Sequence, residues 1–129
     1  DLWINESASI HAALDGTIHS FQNNTALGDY GPTIILEHEV ESIKFHTLYG
    51  HLSEASLISK KVGDIVKKGE QIATLGLPPI NGDYAPHLHF QIIIDMEGKT
   101  GDYPGVCSEK MLLFYKSNCP DPNFLLKII

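Results

Sequence analysis

Turn residues recur roughly every 8–12 positions from Ser9 to Ile94 and cut the apolar sequence into pieces too short for ordinary helices. That spacing is the pattern of an all-β sandwich or barrel. It predicts strands near Ser9–Leu14, Thr17–Phe21, Thr33–His38, Lys44–Tyr49, Ile65–Val66, Gln71–Leu75 and Leu88–Ile94. Asp15-Gly16 reads as a two-residue hairpin turn joining the first two strands, because both positions of such a turn need positive φ. Val62 to Leu75, with Gly63 and Gly69 at reversals, reads as a tight hairpin-like unit. Leu77 to Pro86 holds three Pro, one Gly and one Asn, so it reads as a loop feeding the strand Leu88–Ile94. Beyond Asp95 the period changes: Ser108 to Lys116 suits one short helix, with Ser108 as N-cap and Pro120 past its end. The apolar end, Phe124 to Ile129, is expected to form an edge strand or a docked tail.

Composition narrows the classes. The 129 residues, 43% hydrophobic and 19% charged, suit one globular domain over 1–129 and argue against disorder. No run reaches the ~18 apolar residues of a membrane span, which predicts a soluble chain. Nine basic against sixteen acidic residues give a net charge of −7, a poor match for nucleic acid or an anionic membrane. The opening Asp-Leu-Trp has neither Met nor a signal-like stretch, so the chain is expected to be a fragment of a longer multidomain protein. Cys107 and Cys119, without CxxC spacing, read as two reduced thiols packed as small hydrophobes, with a single bridge as the alternative.

The chemistry concentrates in Pro86-His87-Leu88-His89-Phe90. Side chains alternate on a strand, so His87 and His89 share one face while Leu88, Phe90, Ile92 and Ile94 fill the other, core-facing side. Two neutral imidazoles on one face are a recurrent way to present nitrogen to zinc; two solvated histidines are the alternative. In Leu48-Tyr49-Gly50-His51-Leu52-Ser53, Gly50 is expected to turn the chain and set His51 at the sheet rim. His19, His38 and His46 read as structural or surface residues.

These residues resemble the lysostaphin-like, or LytM-type, zinc endopeptidases, which cleave peptidoglycan peptides. The resemblance rests on Gly16-Thr17-Ile18, Tyr30-Gly31, Leu36-Glu37-His38, Tyr49-Gly50-His51-Leu52, the stretch from Ile58 to Ile72, and His87-Leu88-His89-Phe90, met in that order along most of the chain. Asp121-Pro122 matches a common closing element. The family also carries His-x-x-x-Asp, and His11 to Asp15 fits that motif literally. Counting back from the Asp-Gly-Thr turn, however, lands the family's metal Asp on Asp1, which makes His11 an ordinary strand residue and puts the motif's histidine upstream of this chain. The loop Leu77 to Pro86 departs from the Thr, Ser and Gly usual before His-x-His, so substrate contacts are expected to differ.

The resemblance implies an antiparallel β-sandwich or barrel-sandwich hybrid, the duplicated hybrid motif. It implies zinc held by the upstream histidine, Asp1 and His89, with one open position. It makes His51 and His87 unligated catalytic imidazoles, a peptide the substrate, and other domains of the parent protein the remaining partners; a fragment lacking the first histidine would be inactive alone. A narrower resemblance, in Asp29 to His38, Asn81 to Ile93 and the segments around Cys107 and Cys119, is to peptidase-like domains fused between a phosphotransferase and an aminotransferase domain. Such fusions lack export signals, which favours a cytoplasmic location over the cell envelope. The alternatives are a non-catalytic binding or regulatory module on the same fold, and a biotinyl, lipoyl or phosphocarrier domain. The first is disfavoured by the presence of Asp1, His51, His87 and His89; a biotinyl or lipoyl carrier is disfavoured because no Lys stands at an exposed hairpin tip.

Overall fold

The computed structural model describes residues 1–4 and 7–128. Its strands are β1 (Leu2–Trp3), β2 (Ser9–His11), β3 (Gly16–Asn24), β4 (Gly31–Val40), β5 (Ile43–Gly50), β6 (Ile65–Val66), β7 (Gln71–Thr74) and β8 (His87–Ile93). Six of them form an antiparallel sheet in the order β1-β8-β5-β4-β3-β6, and β2 pairs with β7 in a second, two-stranded sheet. The fold is the curled, mostly β architecture that the strand spacing predicts. No helix among the described residues is long and apolar enough to cross a membrane.

The main core lies between the sheets. Ile34 and Leu36 of β4, Tyr49 of β5, and Leu88, Phe90 and Ile92 of β8 meet Ile10, Ile72 and Ala73 from the small sheet. Each large side chain buried this way contributes roughly 1.5–3 kcal/mol. The other face of the large sheet is not left to solvent. Ile35, Leu48 and Ile93 pack there against Tyr30, Met96 and Tyr103 in a second cluster, which Tyr115 and Cys119 border. Ile93 is therefore fully buried and Ile94 is 45% exposed, the reverse of the expected alternation at the end of that strand.

Two expected hairpins do not form. β2 pairs with β7 and β3 with β4 and β6, so Asp15-Gly16 is a bend between sheets. Gly16 is required there by close approach: a Cβ would stand 2.3 Å from the Glu37 carbonyl oxygen. Likewise β6 and β7 belong to different sheets, so Val62 to Leu75 crosses between them through turns closed by Asp64 N–H to Lys61 O (3.1 Å) and Glu70 N–H to Lys67 O (2.9 Å).

The late helix is present and shifted. A 3₁₀ turn at Glu109–Met111 runs into α1 (Leu112–Asn118), and the Ser108 side chain makes no capping bond. Asn118 ties α1 to the end of β8: its carbonyl accepts from Ile94 N–H at 2.8 Å and its Oδ1 from Asp95 N–H at 2.9 Å. The tail forms a single turn, α2 (Asn123–Leu126), with Leu125 and Leu126 packed on the main core; residue 129 lies outside the described residues. Both cysteines are free thiols; Cys107 is exposed rather than packed, and Cys119 is half-buried.

Candidate active site

Strand register brings the predicted residues together. β8 pairs with β1 through Leu2↔Leu88 and Trp3↔His87, and continuing that register by one position sets Asp1 opposite His89. On its other side β8 pairs with β5, with Gly50 opposite His89, so His51 emerges beside the same imidazole. Asp1, His51, His87 and His89 consequently line one groove of about 590 Å³, walled by Trp3, Tyr30, Tyr84 and Tyr103. The His51 and His87 rings lie 4.3 Å apart between centroids, and those of His51 and His89 6.3 Å.

Hydrogen bonding fixes which nitrogen of each ring is free. Gln91 Nε2 donates to the Pro104 carbonyl at 3.0 Å and to Cys119 Sγ at 3.1 Å, so Gln91 Oε1 is what faces His89 Nε2 at 2.9 Å. An amide oxygen can only accept, hence His89 carries its proton on Nε2 and presents a bare Nδ1. That Nδ1 lies 2.9 Å from Asp1 Oδ1. With His89 neutral, two lone-pair atoms therefore confront each other, an arrangement suited to a shared cation. By the same logic His51 Nδ1–H donates to the Asn81 carbonyl at 2.6 Å and His87 Nδ1–H to the Ala85 carbonyl at 2.8 Å. His51 is left with a bare Nε2, and His87 Nε2 lies 3.8 Å from Asp1 Oδ2.

Burial sets the electrostatics. His51 is 5% and His87 4% exposed, less than the partial exposure expected of groups that meet a substrate, because Tyr84 stacks edge-on against both rings and Tyr30 and Trp3 cover the remaining sides. Burial pulls the His51 pKa down to about 4, against the opposing effect of its bond to Asn81 and helped by the neighbouring His87 and His89. His89 is also held below its ordinary value by burial, against the Gln91 bond. Both rings are neutral at pH 7.

The turn at the end of β5 differs from the sequence expectation. The left-handed residue is His51 itself, at φ 63°, a conformation that costs a non-glycine residue on the order of 1 kcal/mol. It is held by His51 N–H donating to Tyr30 O at 2.7 Å and by the His51 carbonyl accepting from Gly76 N–H at 2.9 Å. Gly50 serves another purpose: a Cβ there would press on the Tyr30 ring at 3.3 Å.

Three supporting residues received no role from the sequence. Gln91 sets the His89 tautomer. Asn81, fully buried, knots the loop before β8, with Nδ2 donating to Tyr84 O at 2.9 Å and Oδ1 accepting from Tyr84 N–H at 3.1 Å. Tyr30 stacks on His89 at 4.7 Å and donates its hydroxyl to Tyr103 O at 3.0 Å. The i+2 spacing of Gln91 from His89 was a usable signal, and Tyr30 belongs to the Tyr30-Gly31 motif; nothing local gives Asn81 its role. The literal His-x-x-x-Asp lies away from the groove, with His11 Nδ1 bonding Gly69 O and Asp15 Oδ1 accepting from Lys68 N–H. His38 is a buried structural residue between Asp15 O and Thr47 Oγ1.

Known proteins share these features. The profile of Peptidase family M23 matches residues 1–102. A Haemophilus influenzae protein named as an uncharacterized metalloprotease is 35% identical over 95 residues, which cover 74% of this chain and 18% of that protein. The chain thus spans less than a fifth of that relative's length. Among solved structures, the catalytic domain of the antimicrobial peptidase lysostaphin from Staphylococcus simulans superposes with a TM-score of 0.63 at 27% identity, over 97% of this chain and 74% of that one. LytU superposes with a TM-score of 0.54 at 28% identity, over 92% of this chain and 70% of that one.

Proposed function

This chain belongs to peptidase family M23, and from that premise we propose that its groove hydrolyses peptide bonds with zinc as cofactor, in peptidoglycan-type peptides. The observation that carries the reading is the bare His89 Nδ1 facing Asp1 Oδ1 at 2.9 Å, an imidazole nitrogen and a carboxylate oxygen of the kind zinc takes. Asp1 and His89 would hold the metal, with the histidine that the family resemblance places upstream completing three protein ligands. When bound, zinc supplies Lewis acidity, polarising the scissile carbonyl and lowering the pKa of water toward ~7.

The remaining steps belong to the chain's own groups. His51, neutral at pH 7 and locked by Asn81 O with Nε2 bare, accepts a proton from the attacking water at Nε2 and returns it to the leaving amine as the C–N bond breaks. His87, oriented by Ala85 O, directs Nε2 into the groove; in its imidazolium form it gives a hydrogen bond, with no net proton transfer, to the substrate oxygen as that oxygen gains charge. Removing such a group costs on the order of 10²–10³-fold in rate. The aromatic walls, Trp3, Tyr84 and Tyr103, exclude water and flank an extended peptide.

The test is hydrolysis of a synthetic peptidoglycan-type peptide by the zinc-loaded protein, before and after chelation. Cleavage lost on chelation and restored by Zn²⁺ supports the reading. Zinc binding in the groove without cleavage of any peptide would replace it with a non-catalytic module on the same fold.

A further inference from the structure

Away from the groove, His19, Glu37 and His46 stand on three adjacent strands, and one ligand-type atom from each lies within 4.8 Å of the other two. We propose that these three side chains form a second divalent-metal site, of the zinc class, distinct from the groove.

Register explains the convergence. Glu37 of β4 pairs directly with His46 of β5, so the two side chains share a face. On β3 the ladder slips between Ile18 and Ser20, leaving His19 as the extra residue of a bulge. Bulges re-aim side chains. Here the bulge lets His19 and Ser20 stand side by side, His19 Nδ1 2.8 Å from Ser20 Oγ, and turns the His19 ring onto His46 with centroids 4.9 Å apart.

The contacts suit a metal better than a hydrogen bond. His46 Nε2 lies 3.4 Å from Glu37 Oε2, long for a charge-assisted N–H···O bond. Two donors on a tetrahedral ion with bonds of about 2.0–2.2 Å are separated by about 3.4 Å. His46 is 7% exposed and its Nδ1 has no hydrogen-bond partner, so the ring is a buried polar group that the protein's own contacts leave incompletely satisfied. The Lys44 ammonium, 3.6 Å from Glu37 Oε1, is mostly exposed and easily displaced.

Two imidazoles and one carboxylate make a borderline donor set that zinc accepts, with a fourth position left to water. His46 precedes Gly50 by four strand residues, about 13 Å, so the site cannot share an ion with His89. It would tie β3, β4 and β5 together, the last of which leads directly into His51.

The test is calorimetric titration with Zn²⁺ of the chain carrying His89→Ala, which removes a ligand from the groove. One equivalent should still bind. Adding Glu37→Gln or His19→Ala, both at half-exposed positions, should weaken it by at least about 100-fold, a ligand loss exceeding the effect of second-shell changes. Circular dichroism checks that each variant is folded, and the two are independent. If His89→Ala alone abolishes all zinc binding, or if neither further substitution changes the affinity, the second site does not exist. Zinc bound in the parent that is sensitive to Glu37→Gln and insensitive to His89→Ala would instead reject the groove's metal and keep this one.

Discussion

Asp1 Oδ1 and His89 Nδ1 meet at 2.9 Å from 88 positions apart, and a strand of two residues, Leu2–Trp3, is what brings them there. The pairing of β1 with β8 converts an unremarkable chain start into half of a proposed ligand pair.

Gln91→Ala should weaken zinc binding about 10–100-fold with little change in fold, because the residue acts by fixing the proton on His89 Nε2. Calorimetric titration reads this directly. Unchanged affinity would mean that His89 keeps its orientation without Gln91.

Asn81→Ala should cost about 1–3 kcal/mol in denaturant unfolding, since the fully buried Asn81 side chain holds both Tyr84 backbone groups and, within the interior, the Gly76 carbonyl. That loop supplies the carbonyl that orients His51, so turnover should fall while zinc affinity holds. Loss of zinc together with turnover would show that the loop supports the whole groove.

Much of this site was legible in the sequence, and the reasons are physical. Alternation along His87-Leu88-His89-Phe90 places Leu88 and Phe90 in the core and both histidines on the opposite face. The strand pairing was less legible. Asp15-Gly16 carries hairpin chemistry, yet β3 pairs with β4 and β6, because close approach to Glu37 rather than positive φ demands the glycine. The burial of Ile93 depends on Tyr103 and Met96 folding back over the sheet, a long-range event that leaves no mark on β8 itself.

Ile93→Ala should therefore destabilise by about 2–5 kcal/mol, as for a core residue. Ile94→Ala, at a 45% exposed position, should stay within about 0.5 kcal/mol of the parent. Urea unfolding of the pair decides which residue is interior; equal effects would contradict the second cluster.

His38 makes stability depend on pH. Burial holds its folded-state pKa below the unfolded value of 6.5, against the bond to the Asp15 carbonyl. Between the two values the unfolded chain binds more protons, so stability is full above about pH 6.5 and declines as pH falls toward the folded pKa. Replacing this group with the non-titrating His38→Gln should flatten the decline. Unfolding midpoints from pH 7 to pH 4 measure it, and an unchanged slope would exclude His38 as a contributor.

The central claim is that two histidines in one groove do different work: His89 holds metal and His51 moves a proton. Zinc content and peptide turnover, measured side by side for His89→Ala and His51→Ala, test it most directly. His89→Ala should lose the groove zinc and the activity together, whereas His51→Ala should keep the zinc and lose about 10²–10³-fold in turnover. Zinc retained in the groove of His89→Ala and released from that of His51→Ala would contradict the assignment.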